Sequence, residues 1–292
     1  MSAPAAIGSQ PARDRRRGVL FRVLLQASLA VGVIALVTLV VQVLVKGSSR
    51  LTETLIFHYP SSNPDLAGAQ SAIGGTVWLM GIVAATCLPL GVGAAIYLEE
   101  YANPDRWWNR LIEVNIQNLA AVPSIVYGIL GLAFFVRGPA HLGQTVLAGG
   151  LTLSLLVLPI VIIASREAIR AVPSSIRQGS MALGATKWQT IRRQVLPGAI
   201  PGIATGAILA LSRAIGEAAP LVLLGALTFI TFNPEGLDSA FTALPIQIFN
   251  WISRPQEEFK VLAAAAIVVL LGLLIAMNAT AIWLRNRYQR KW

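Results

Sequence analysis

The chain has 292 residues, of which 55% are hydrophobic and 12% charged, and a formal net charge of +10. That balance is too apolar for a soluble domain of this length and places the chain in a bilayer. A single cysteine, Cys87, excludes an internal disulfide, and His58 and His141 stand too far from other ligating residues to suggest a metal site.

Uncharged apolar runs long enough to cross a hydrocarbon core lie at about 23–45, 72–98, 114–136, 142–164, 197–227 and 261–284. Unpaired backbone groups are costly in lipid and the runs are too long for barrel strands, so each is expected to be a helix. The expected fold class is an all-α integral membrane protein with six transmembrane helices. Lys and Arg set its orientation: only Lys46, Arg50, Arg137, Arg254 and Lys260 fall outside if the N-terminus is inside, whereas Arg13–Arg22, Arg166–Arg193 and Arg285–Lys291 all fall within. Both termini are therefore expected to be cytoplasmic. Topology and attraction to anionic membrane lipid account for the positive charge, which does not argue for a nucleic-acid partner.

Residues 1–18, rich in Ala, Pro and Arg, read as a disordered cytoplasmic tail, and 19–46 as a first transmembrane helix. A cleaved signal peptide is rejected, because the apolar core is too long and no small-x-small cleavage site follows. An outer loop at 47–71 carries turn signals at Asn63-Pro64-Asp65 and Gly68. The main membrane domain is expected over 72–284, followed by a basic tail at 285–292. Gly74, Gly75, Gly81, Gly91 and Gly93 make the second span small-faced for close packing, and Pro89 is a candidate kink. Glu99, Glu100, Tyr101, Trp107 and Trp108 read as an inner interfacial connection.

The third span opens on Asn115, Gln117 and Asn118, followed by Ala120-Ala-Val-Pro-Ser-Ile-Val-Tyr-Gly128. Polar amides and a proline break inside a membrane line protein or water rather than lipid, so Asn118, Pro123 and Ser124 are candidate pathway residues; a kinked helix packed by small residues is the plainer alternative. The fourth span closes on Arg166-Glu167 and Arg170, with Glu167 and Arg170 expected as a solvated pair.

A polar stretch follows at 174–197. Ser175 and Gln178, then Thr186 and Gln189, have capping-box spacing on either side of Gly184, which predicts two short helices with a glycine joint. Ile176, Gly179, Ser180 and Leu183 share a face of the first; Trp188, Ile191 and Val195 share one of the second, leaving Lys187, Arg192 and Arg193 outward. Gln178, Gly179, Ser180, Leu183, Gly184, Ala185 and Lys187 are candidate residues for docking into a partner's groove, with an interfacial linker helix as the alternative.

The fifth span carries Arg213 and Glu217 roughly halfway across. Arg213 is about 24 Å along the helix from Pro197, too deep to reach the inner surface easily. An intramembrane Arg costs at least about 2.5–3.5 kcal/mol on insertion scales and usually marks an ion or substrate path. Glu217, one turn on, can neutralise it; the alternative is a self-satisfied pair that only fixes packing. In the sixth span Asn278 and Thr280 are expected interhelical hydrogen-bonders.

Ala182-Leu-Gly-Ala-Thr-Lys-Trp-Gln-Thr-Ile191, with Val195-Leu-Pro197, resembles the cytoplasmic Glu-Ala-Ala loop of ATP-binding-cassette (ABC) import permeases. Gln178-Gly179-Ser180 replace the Glu-Ala-Ala opening, and Gln194 the usual Ile before Leu-Pro. Ser212-Arg-Ala-Ile-Gly-Glu-Ala-Ala-Pro-Leu221 is similar to a string of the A-type permease of phosphate ABC importers (PstA type), and the Val122–Gly128 string resembles one in phosphate-type permeases. The likeness spans about 72–284. It implies a type I ABC importer permease fold in a bacterial or archaeal plasma membrane, and a heteromeric complex. The implied partners are a sister permease (PstC type), two ATPase subunits (PstB type) and an extracytoplasmic phosphate-binding protein (PstS type). No Gly-x-x-x-x-Gly-Lys-Ser/Thr occurs, so ATP and Mg are expected in the ATPase partners, with no cofactor and no catalytic residue in this chain. The rival readings are a permease for sulfate or molybdate, an ion-coupled secondary carrier, for which no clear internal repeat is seen, and a membrane enzyme, for which no catalytic constellation is seen.

Overall fold

Apolar segments in a bilayer must satisfy their own backbone, and here they do so as helices. The computed structural model describes residues 12–288 apart from 104, 227 and 228. Among the described residues there are no strands. The helices are α1 (Ala12–Ser48), α2 (Glu53–Phe57), α3 (Gln70–Ile96), α4 (Trp107–Ala120), α5 (Ser124–Gly131), α6 (Val146–Arg170), α7 (Ser174–Ala182), α8 (Lys187–Thr190), α9 (Leu196–Gly216), α10 (Ala219–Leu223), α11 (Leu244–Ile252) and α12 (Glu257–Tyr288). Helix α3 ends in a π-helical turn at Tyr97–Tyr101, and α5 in another at Leu132–Val136.

Five single helical stretches are long and apolar enough to cross a membrane, and the bent α4–α5 pair makes a sixth if counted as one span. Helix α1 begins at Ala12, so the part of the expected N-terminal tail from 12 to 18 is helical; residues 1–11 lie outside the described residues. Helix α12 runs into the expected basic tail, of which 289–292 lie outside them. The fourth span starts at Val146 rather than 142, because Thr145 caps it by accepting from the Ala148 N–H.

The third span is not one straight helix. It breaks between Ala120 and Ser124 with a bend of 106°. Pro123 cannot donate to the Leu119 carbonyl four residues back and its ring crowds that oxygen. The Tyr127 hydroxyl donates to this carbonyl instead, at 2.8 Å. The same device recurs at the end of α6. Ala171-Val-Pro-Ser174 repeats the string Ala121-Val-Pro-Ser124, and the Ile169 carbonyl, to which Pro173 has no N–H to offer, accepts from Arg177 Nη2 at 2.8 Å beside the Val172 N–H.

The expected fifth span also changes. It begins earlier, because α8 runs into α9 through a π-helical turn at Ile191–Val195, whose wider turn accommodates Pro197 without a stop. It ends earlier, at Gly216: Pro220 has no N–H for the Gly216 carbonyl, and a short α10 follows after the extended Glu217.

Helix α6 is central, packed along α3 on one side and α9 on the other. Its Leu153, Val157 and Val161 are buried with Leu79, Val83, Ala210 and Ala214 in one apolar cluster. A second cluster of Leu55, Trp251, Phe259 and Leu262 seats α2 and α11 on α12. Helix α1 lies along α12, where a Cβ on Gly47 would fall 2.8 Å from the Ala264 backbone. The small face of α3 is used at Gly75, against the Thr242 carbonyl, and at Gly91, against Val161; Gly81 and Gly93 face open space.

The α6–α9 crossing depends on small residues spaced four apart on both helices. A Cβ on Gly206 would sit 2.3 Å from that of Ala164, and one on Gly202 2.6 Å from that of Ala168. Such close approach maximises dispersion contacts, which must hold the helices together because no hydrophobic force drives helix onto helix within lipid. Gly206→Leu is therefore expected to destabilise the detergent-solubilised chain by at least about 1–3 kcal/mol. Thermal unfolding followed by size exclusion measures it, and an unchanged midpoint would refute the tight crossing.

Candidate functional site

Arg213 lies in the last turn of α9, where the helix dipole favours a cation. Glu217 is the first residue past the helix, with extended backbone (φ −83°, ψ 112°). The expected shared helical face is thus broken at Gly216, yet Arg213 Nε still reaches Glu217 Oε1 at 3.4 Å. The Arg213 side chain is 41% exposed, and Leu209, one turn before it, is exposed too. The neighbouring Ser212 instead turns inward, donating to Asn278 Oδ1 on α12 at 3.0 Å. Asn278 is the expected interhelical bonder; Thr280 is not, since it donates to the Ala276 carbonyl of its own helix. The pair therefore presents a charged fork on an open flank of the bundle.

Asn118 and Pro123 are exposed and Ser124 half-buried at the α4–α5 break. Among the described residues no hydrogen bond or ion pair ties them to Arg213. What the fold does bring together is α5 and α10: a Cβ on Gly128 would lie 2.8 Å from Pro220 Cα. The two proline breaks are thus joined through neighbouring helices.

The 174–197 stretch is two short helices about Gly184, which has φ +82°. Thr186 and Gln189 form the expected capping box, each side chain bonded to the other's backbone N–H. Ser175 and Gln178 do not: α7 starts at Ser174 directly after Pro173, whose fixed φ leads the chain into the helix, and no side chain caps it. Ser180 and Thr190 hydroxyls, 2.9 Å apart, tie α7 to α8. Between them lies a groove of about 390 Å³ lined by Ile176, Gly179, Ser180, Leu183, Ala185 and Gln189, among others. Leu183 is 91% exposed at its edge. Gln178 is exposed but does not line the groove. Lys187 sits over the Tyr101 ring at 5.0 Å. Ile191 and Val195 are buried in the bundle while Trp188 is exposed, so the expected common face of those three is not formed.

A cluster absent from the sequence reading joins this loop to the bundle. Arg170 forks onto Glu99 with two contacts of 3.1 Å and also meets Glu167 at 3.2 Å. Arg166 lies 3.0 Å from Glu113 and 3.6 Å from Glu99. Arg177 pairs with Glu100 at 2.9 Å and donates to the Val172 and Ile169 carbonyls, closing the end of α6. The Glu167–Arg170 pair expected in solvent is thus one edge of a network. Partners about 50 to 80 positions apart leave no periodicity to read.

Residues 87–287 match the family described as binding-protein-dependent transport system inner membrane component. The probable ABC transporter permease protein YqgI of Bacillus subtilis (strain 168) is 31% identical over 268 residues, 88% of this chain and 90% of that protein. Phosphate transport system permease protein PstA 1 of Mycobacterium tuberculosis (strain ATCC 25618 / H37Rv) is 33% identical over 220 residues, 75% of this chain and 70% of that one. Among solved structures, a chain of a bacterial alginate ABC transporter in complex with alginate pentasaccharide-bound periplasmic protein matches with a TM-score of 0.67 at 14% identity, covering 97% of this chain and 99% of that one. At that identity the likeness is one of fold.

Proposed function

The chain belongs to the family of binding-protein-dependent transport system inner membrane components, the permeases of ABC importers, and we propose that its substrate is inorganic phosphate. The observation that carries this reading is the Arg213–Glu217 pair, which ends α9 on an open flank of the bundle. A guanidinium offers a planar fork of N–H donors that suits a tetrahedral oxyanion. Glu217 limits how tightly Arg213 holds an anion, and it can accept a hydrogen bond from hydrogen phosphate, which sulfate at neutral pH cannot donate. Identity of about a third to a phosphate transport permease supports the same substrate.

Permeases of this kind work with separate ATPase and substrate-binding subunits. Here the sister permease covers the Arg213 flank, so that each chain forms half of the pathway. With both termini inside, α7 and α8 face the cytoplasm and dock into the ATPase, which holds the ATP and Mg. ATP binding closes the ATPases, draws the α7–α8 loops together and turns the bundle outward, where phosphate arrives on its binding protein. Two permease states that bind the ATPases differently are the requirement for such coupling. Asn118, Pro123 and Ser124 line the pathway at the α4–α5 bend.

The test is ATP hydrolysis by the complex co-purified with this chain, reconstituted with its binding protein. Stimulation by phosphate, and not by sulfate or molybdate, is expected. Stimulation by another oxyanion would replace the substrate and keep the importer.

A further inference from the structure

We propose that the π-helical turn Tyr97–Tyr101 receives the movement of α7 and α8 and passes it into α3, with Glu100 as its positioning residue. The proposal rests on the reading of the α7–α8 loop as the ATPase dock. Three successive side chains of the turn meet three successive elements: Glu99 pairs with Arg166 and Arg170 of α6, Glu100 with Arg177 of α7, and Tyr101 stacks under Lys187 of α8. No other segment among the described residues makes ion-pair or cation–π contacts to all three.

The contacts are not equivalent. Arg166 and Arg170 each have a second carboxylate, Glu113 and Glu167, so their pairing survives a shift of Glu99. Among the described residues, Arg177 pairs with Glu100 alone. Both are shielded, with side chains 20% and 9% exposed. Separating them leaves two charges short of partners where solvent reaches poorly, so the turn must follow α7. Arg177 also holds the Ile169 and Val172 carbonyls, which ties the start of α7 to the end of α6, so that a movement of α7 reaches both α6 and the turn that ends α3. Helix α3 continues from the turn without a break and packs along α6, while its far end holds the Thr242 carbonyl against Gly75. A π-helical turn is underwound and is a natural place for such a joint.

Glu100→Gln removes the charge and leaves the carbonyl contacts of Arg177 in place. In the full complex reconstituted in vesicles with binding protein and ATP, this variant is expected to retain ATPase association and ATP hydrolysis. Phosphate taken up per ATP hydrolysed should fall about tenfold, as expected for weakening one charge-assisted hydrogen bond. Glu100→Asp should recover part of the loss. Tyr101→Leu, at an exposed position, should lower the same ratio about two- to fivefold. An unchanged ratio in both Glu100→Gln and Tyr101→Leu overturns the proposal, as does loss of ATPase association together with uptake, which would make the contacts part of the dock or of the fold. Absence of ATPase from the wild-type complex would instead remove the docking reading on which the proposal stands.

Discussion

Arg213→Gln abolishes most phosphate uptake while the complex still assembles: a loss of about ten- to hundredfold is expected from removing one charge-assisted contact to an anion. Arg213 is in the last turn of α9 and exposed to the open flank, so its removal leaves the buried α6–α9 crossing at Gly202 and Gly206 untouched. It does leave Glu217, whose side chain is 21% exposed, without its partner. Arg213→Gln with Glu217→Gln separates the two roles, because the double variant is neutral. If the pair only fixes packing, the double variant transports normally; if Arg213 meets the anion, it stays impaired. Arg213→Lys keeps the charge and loses the fork, and an intermediate rate is expected. Uptake by reconstituted vesicles, with assembly checked by size exclusion, decides the matter.

Gly179→Trp is expected to leave the chain folded and to weaken ATPase association at least about thirtyfold, the scale of losing a central docking contact. A Cβ at Gly179 meets nothing within 4 Å in the chain, so the indole fills the groove between α7 and α8 instead of disturbing the bundle. Gly184→Val acts differently. Space around Gly184 is also open, but its φ of +82° is unfavourable for a β-branched residue, at a cost of about 1–3 kcal/mol. The joint reorients, and ATPase association falls with it. Co-purification of the ATPase with each variant measures both effects, and wild-type recovery with Gly179→Trp would remove α7 as the docking helix.

Periodicity and hydropathy located the membrane segments because burial in lipid imposes a single demand on the backbone, which a long apolar run announces. The breaks were only partly legible. Pro123 signalled an interruption, but neither the bend of 106° nor the Tyr127 hydroxyl that donates to the Leu119 carbonyl could be read from it. Pro220 lies inside the expected fifth span, and its consequence fell four residues earlier, at Gly216, where the lost hydrogen bond would have formed. The repeated Ala-Val-Pro-Ser string at 121–124 and 171–174 was a usable signal for both corners. The Thr186–Gln189 capping box and the Gly184 joint are local and were readable; the Ser175–Gln178 spacing misled because Pro173 already sets the start of α7. The network of Glu99, Glu100, Arg166 and Arg177 was not readable, since tertiary packing alone brings those residues together.

The most direct measurement is uptake of radiolabelled phosphate into vesicles holding this chain, the sister permease, the ATPases and the binding protein. ATP-dependent accumulation of phosphate, undiminished by excess sulfate or molybdate, is the predicted result. Uptake that needs no ATP would contradict the importer mechanism, and ATP-dependent uptake of another oxyanion in place of phosphate would contradict the substrate.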